Sequence, residues 1–220
     1  MVVRIGNKAP NLEVSTWVQG KPTNIDKENG NVVLVEVFQV NCPGCFLYGI
    51  PEAIDIYREY KDAGLKVLGL ATAFEDFDKN NIENLERLVR TGEVIGETYR
   101  ALSQYGKLRE GNKLPYNIPF PVAMDMLKKE SGLMTDSKVM DFIEANIPEF
   151  RTYTDKDRQM VIERVKQYLK SKQFSAKTFE SYSLRGTPST ILVDRKGVFR
   201  GAYFGSNGFL KGAVEELIGE

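Results

Sequence analysis

The sequence predicts an α/β protein in which helices cover a central β-sheet and a helical segment is inserted late in the chain. Three observations predict it. Val32 to Phe38 is a β-branched run with apolar residues on both faces, the pattern of a strand buried in a sheet covered on both sides. A helical pattern follows and leads into a second such run, Leu65 to Ala73, which makes a β-α-β unit. Far downstream, Thr190 to Val193 and Val198 to Tyr203 flank Asp194-Arg195-Lys196-Gly197 as the arms of a β-hairpin.

Taken in order, residues 1–31 hold short extended patterns between turns at Ala9-Pro10-Asn11, Gly20-Lys21-Pro22 and Glu28-Asn29-Gly30-Asn31, with Leu12, Val14 and Trp17 marking a strand. The helix after the first buried run opens at Pro43 and keeps Ile50, Ile54 and Tyr57 on a core-facing spacing up to a stop at Ala63-Gly64, with Pro51 predicted to kink it. From Asp76 to Leu114 the pattern is helical. One stripe, Ile82, Leu85, Leu88 and Val89, ends at Thr91-Gly92, and a shorter one holds Ile95, Tyr99 and Leu102. A short strand is expected around Val122 to Met124, where Pro119 and Pro121 argue for loop or edge positions.

Residues 128–178 change character and read as a helical insertion within a single domain spanning 1–220. Val139, Met140, Ile143 and Ile147 form one amphipathic stripe; Thr154-Asp155-Lys156-Asp157 resembles a capping box that opens a second, with Val161, Val165, Tyr168 and Leu169. After the hairpin, Phe209 to Ile218 close the chain as a helix.

Composition removes several functions. Thirty basic and thirty acidic residues cancel, so no global field draws in nucleic acid or an acidic membrane. With no histidine, Ser-His-Asp and Cys-His chemistry is excluded and the commonest ligand for zinc, copper and haem is missing. No apolar run approaches a membrane span of about 20 residues, and the N-terminus carries no continuous apolar stretch of the signal-peptide kind.

The only two cysteines lie together, at Cys42-Pro43-Gly44-Cys45, where the first buried strand hands over to the helix. Two thiols at this spacing can close a small disulfide ring, which points to dithiol/disulfide redox chemistry with no metal and no cofactor. Since both belong to one pair, no structural disulfide framework is available, as expected of a cytoplasmic chain.

The order strand, Cys-X-X-Cys, kinked helix, strand, insertion, Gly186-Thr187-Pro188-Ser189-Thr190, hairpin, helix resembles the thioredoxin fold. Within that fold it resembles the TlpA-like redoxin group of thiol-disulfide oxidoreductases, whose relatives include the peroxiredoxins. The chain ahead of the first buried strand is expected to form a hairpin-like start, and Gly6-Asn7-Lys8-Ala9-Pro10 is similar to the family's N-terminal entry. Ile50 through Leu70 is similar to its first helix and next strand, and Tyr182 through Gly197 to its cis-proline loop and hairpin. Residues 128–178 lie outside the pattern.

The resemblance implies a mixed sheet and assigns roles. Cys42 would attack a substrate disulfide as thiolate, favoured by the helix N-terminus, and Cys45, one turn inside and more buried, would resolve the mixed disulfide. Glu36, six residues before Cys42, stands where thioredoxins place a buried acid; in an apolar strand its pKa should rise, fitting it to shuttle a proton to or from Cys45. Pro188 would be the cis-proline, and the Thr187 backbone would bind an extended substrate strand. Pro43 and Gly44 would face the substrate and set the redox poise.

Five departures from the family pattern stand out. Glu36 replaces aspartate; Asn41 replaces the tryptophan usual before the first cysteine; Pro43-Gly44 reverses the Gly-Pro dipeptide of classical thioredoxin; Tyr48 stands where some TlpA-like reductases carry a glutamate, leaving Glu36 as the only nearby acid; and Pro51 is one residue farther from Cys45, which with Gly49 points to a bulge. Phe38 is expected in the core, and Phe46 and Tyr48 either in the core or along a substrate groove.

The partners expected are a disulfide-containing protein or small molecule and an upstream reductant or reductase. A peroxiredoxin-like peroxidase is weaker, because the threonine and proline that its cysteine needs three and seven residues upstream are Gln39 and Val35 for Cys42, and Cys42 and Phe38 for Cys45. A third reading is a redox-switched binding or adaptor protein that works through the helical insertion.

Overall fold

The computed structural model describes residues 3–129, 135–171, 174–206 and 208–220, with the Val32–Phe38 run inside a six-stranded sheet. The chain runs β1 (Val14–Gln19), β2 (Val32–Phe38), α1 (Ile50–Tyr60), β3 (Leu65–Ala71), α2 (Ile82–Thr91), α3 (Gly96–Gln104) and β4 (Val122–Asp125). It continues through β5 (Leu127–Lys129), α4 (Asp136–Asn146), α5 (Asp155–Ser171), β6 (Phe174–Ala176) and α6 (Lys177–Ser181), and closes with β7 (Ser189–Val193), β8 (Phe199–Phe204) and α7 (Leu210–Gly219).

The main sheet has the order β1-β4-β3-β2-β7-β8 and is mixed. β2 pairs parallel with β3 and β3 with β4, while the β2-β7, β7-β8 and β1-β4 pairs are antiparallel. All seven residues of β2 are buried, and alternation sends them to two apolar layers. Val33, Val35 and Val37 join Leu68, Leu70, Ile191 and Val193 on one face. Val32, Leu34 and Phe38 join Ile50, Ile54, Leu85, Phe120 and Val214 on the other. Glu36 shares the parity of Leu34 and Phe38, so a carboxyl is carried into the layer on which α1 packs.

Three expectations give way. Sequence reading placed β4 at an edge, but it lies between β1 and β3, because Pro119 and Pro121 precede the strand and cost it no ladder donor. Pro121 even serves the ladder, its carbonyl accepting the Gly69 N–H at 2.8 Å. Among the described residues the start forms no hairpin: β1 pairs with β4, far away in sequence. Helical structure stops at Gln104 rather than reaching Leu114; Gly106 turns the chain at φ +61°, and Lys113 bridges back to Glu93 and Arg109.

The described chain falls into two compact units, one of Met1–Leu127 with Ala176–Glu220 and one of Lys128–Ser175. In the second, α4 and α5 enclose a small core of Val139, Ile143, Phe150 and Val165, with Met140 and Tyr168 of the expected stripes left exposed. Thr154 caps α5 by accepting the Asp157 N–H, as the capping-box pattern requires. In the first unit, buried Asp125 accepts hydrogen bonds from the Thr72 hydroxyl and from the N–H groups of Thr178 and Phe179, tying α6 to the end of β4. Among the described residues no helix is long and apolar enough to cross a membrane.

Candidate active site

At the C-terminal end of β2 the chain leaves the sheet, turns through Gln39–Asn41 and becomes helical at Pro43, whose missing N–H costs nothing in a first turn. Cys42 and Cys45 flank that start and are joined as a disulfide, with Cα atoms 5.4 Å apart. The Cys45 N–H donates to Cys42 Sγ at 3.2 Å and to the Cys42 carbonyl at 3.1 Å. Cys42 is half-buried and Cys45 fully buried, so an attacking reagent meets Cys42 first.

The bulge expected between Cys45 and Pro51 takes the form of a π-helical turn over Cys45–Gly49, in which the Ile50 N–H reaches back to the Cys45 carbonyl. In the same register Pro51 would serve the Phe46 carbonyl but has no N–H to give. The Tyr116 hydroxyl takes that place, donating to the Phe46 carbonyl at 2.9 Å, and burial pushes the Tyr116 pKa upward. The extra residue also brings Gly49 over the sheet. A Cβ on Gly49 would overlap Glu36 Oε1 and lie 2.6 Å from Pro188 Cβ, so only glycine fits there.

Glu36 is buried beneath this turn. Its Oε2 accepts the Thr190 hydroxyl at 2.8 Å from the directly opposed position on β7, while Oε1 has no hydrogen-bond partner among the described residues. Burial pushes its pKa up to about 8; the Thr190 hydrogen bond opposes the rise and the charge of Glu52 adds to it.

The Thr187–Pro188 peptide is cis. The Thr187 carbonyl oxygen lies 3.5 Å from Cys42 Sγ, and a Cβ on Gly44 would touch the Pro188 ring at 3.6 Å. Of the seven residues singled out from sequence, Cys42 is bonded to Cys45 and lies against the Thr187 carbonyl, Gly44 faces the Pro188 ring, and Gly49 stands close to both Glu36 and Pro188. Pro43 is half-buried between them in the chain.

Sequence reading missed several participants. Glu52, one helical turn after Gly49, corrects the view that Glu36 is the only nearby acid. Gly49 and Thr190 meet Glu36 across the sheet and helix, and Tyr116 comes from 65 residues beyond Pro51. Only Gly49, at the bulge, left a signal; the others depend on register and tertiary approach. Phe46 belongs to the core, edge-on to Phe38 at 6.1 Å, whereas Tyr48 is exposed. Among the described residues no group of three or more histidine, cysteine or carboxylate side chains could hold a metal.

A mixed sheet flanked by helices, with the disulfide at a strand-to-helix turn, is the thioredoxin-like fold, and solved structures of that fold match nearly the whole chain. One is a thioredoxin-like superfamily protein, 25% identical over 97% of each chain with a TM-score of 0.59. Another is a thiol-disulfide isomerase from Corynebacterium glutamicum, 28% identical over 96% of this chain and 97% of that one, with a TM-score of 0.56. No protein-family model matches. Among curated proteins, Protein DipZ of Mycobacterium bovis and of Mycobacterium tuberculosis are 33% identical over 75 residues; the match covers 32% of this chain and 11% of theirs.

Proposed function

We propose that this chain is a thiol-disulfide oxidoreductase of the thioredoxin-like kind, running in the reducing direction on disulfides of protein or small-molecule partners. The observation that carries the reading is the asymmetry of the Cys42–Cys45 pair: one sulfur reachable beside the Thr187 carbonyl, the other fully buried. The name of one structural neighbour, a thiol-disulfide isomerase, supports the same chemistry.

In the dithiol state the Cys42 thiolate attacks one sulfur of a substrate disulfide, forming a mixed disulfide and expelling the first substrate thiolate. Cys45 then attacks Cys42 Sγ and expels the second. Two electrons pass to the substrate, which leaves the chain oxidised as the Cys42–Cys45 disulfide until an upstream dithiol or reductase supplies two more. The Cys45 N–H stabilises negative charge on Cys42 in the attacking thiolate. Glu36, poised at about 8, accepts the Cys45 thiol proton before resolution and returns one when the disulfide is reduced. Thr187 and Pro188 present the backbone edge on which an extended substrate docks, beside Pro43 and Gly44. A cytoplasmic setting suits this direction, since a reducing pool resupplies the dithiol.

Reduction of insulin or a model disulfide by wild type, Cys42→Ser and Cys45→Ser tests the reading. Turnover by wild type and its loss in both variants is expected. A wild-type chain that exchanges no disulfide yet consumes hydrogen peroxide would make the peroxidase reading the correct one.

A further inference from the structure

Asn41, the residue before Cys42, is buried, and its backbone N–H and both ends of its side-chain amide are hydrogen-bonded. Its backbone N–H donates to Asn80 Oδ1 at 2.8 Å, and its Nδ2 donates to Asp76 Oδ2 at 2.7 Å. Its Oδ1 accepts the Glu97 N–H at 2.7 Å. That last bond caps a helix from a distance of 56 residues: α3 begins after Ile95, whose side chain cannot cap, and Glu97 is its second residue. Gly96 permits the approach, since at φ +55° a Cβ there would overlap Asn41 Oδ1. One residue earlier, the Val40 carbonyl accepts the Thr98 hydroxyl at 2.8 Å. The far side of the clasp is held too, for Asn80 Nδ2 donates to the Glu75 carbonyl and Asp76 turns the chain at φ +46°.

We propose that Asn41 is a positioning residue for Cys42: through Asp76, Asn80 and the N-terminus of α3 it clamps the turn from which Cys42 Sγ meets the Cys45 N–H and the substrate sulfur. The proposal rests on the reading of Cys42 as the attacking thiol. Pro43 follows Cys42 at once and the strand ladder has ended at Phe38, so no sheet hydrogen bond fixes residues 39–42. The clasp supplies that constraint with polar bonds where an aromatic side chain would supply it by packing. Charged groups around it are Asp76, Asp78, Lys79 and Glu97, the lysine paired with Asp78 and drawn also by Asp76 and Glu97; Glu36 and Glu52 lie against the π-helical turn.

The test follows the rate of iodoacetamide alkylation of Cys42 in the reduced protein against pH, beside turnover on a model disulfide. Asn41→Ala frees the turn, weakens the Cys45 N–H contact with Cys42 Sγ, and is expected to move the alkylation midpoint up by about half a pH unit or more. It should also lower kcat/KM about tenfold, through kcat rather than KM. Asp76→Ala, at an exposed position that leaves the core intact, should move both readouts in the same direction by less, and the double variant should do no worse than Asn41→Ala alone. If Asn41→Ala fails to fold by circular dichroism, Asp76→Ala decides. A wild-type midpoint and wild-type kcat in the folded variants would overturn the clamp. Absence of turnover in the wild type would instead count against the functional reading, and the alkylation midpoints would still decide the clamp.

Discussion

Gly49 lies so close to Glu36 that a single methyl group could not stand between them: a Cβ there would overlap Glu36 Oε1 and press on the Pro188 ring at 2.6 Å. The π-helical turn therefore does more than absorb an extra residue before Pro51. It lowers a bare patch of helix backbone onto the buried carboxyl and the cis-proline together.

Gly49→Ala should accordingly destabilise the protein by about 1–3 kcal/mol, the usual cost of forcing atoms into a packed interior. Urea denaturation of the oxidised form measures it. A change within 0.5 kcal/mol, on the scale of an ordinary surface substitution, would mean that the turn stands farther from the sheet than described.

Stability should fall as pH rises through the range between the carboxyl's unfolded pKa of 4.5 and its folded value of about 8. Across that window the folded chain holds a proton on Glu36 that the unfolded chain has lost, so folding binds a proton and rising pH opposes it. The contribution is fully present below 4.5 and gone above 8, a change on the order of 5 kcal/mol. Glu36→Gln keeps an acceptor for Thr190 and cannot ionise. Denaturation midpoints at several pH values should therefore show the variant gaining on wild type as pH rises to 9, while its disulfide exchange slows.

Tyr116→Phe removes only the hydroxyl that serves the Phe46 carbonyl. Leaving a buried carbonyl unsatisfied costs about 1–3 kcal/mol, and the loss should be seen in the denaturation midpoint without a change in the slope of the transition. A neutral result would show that water serves the carbonyl equally well.

How far the sequence could be read depended on what kind of force decides each feature. β2, β3 and the β7-β8 hairpin are visible because burial on both faces or a turn of strict chemistry writes itself into consecutive residues. The position of β4 is not visible because Pro119 and Pro121 argue against a central strand, although the strand begins just after them. At the site, Cys42, Cys45 and Pro188 announce themselves by type and spacing. Thr190 opposite Glu36, Tyr116 on the Phe46 carbonyl and Asn41 on the N-terminus of α3 do not, since each is a long-range hydrogen bond fixed by strand register or helix docking. The influence of Glu52 is a through-space charge and leaves no pattern in the chain.

In the proposed reaction Cys42 attacks and Cys45 resolves. Reduced Cys45→Ser and Cys42→Ser, each incubated with a model protein disulfide and followed by intact mass, test it most directly. Cys45→Ser is expected to accumulate a stable mixed disulfide through Cys42, at a rate at least about tenfold above that of Cys42→Ser, whose remaining sulfur is fully buried. Faster capture by Cys42→Ser, or no mixed disulfide with either variant, would contradict it.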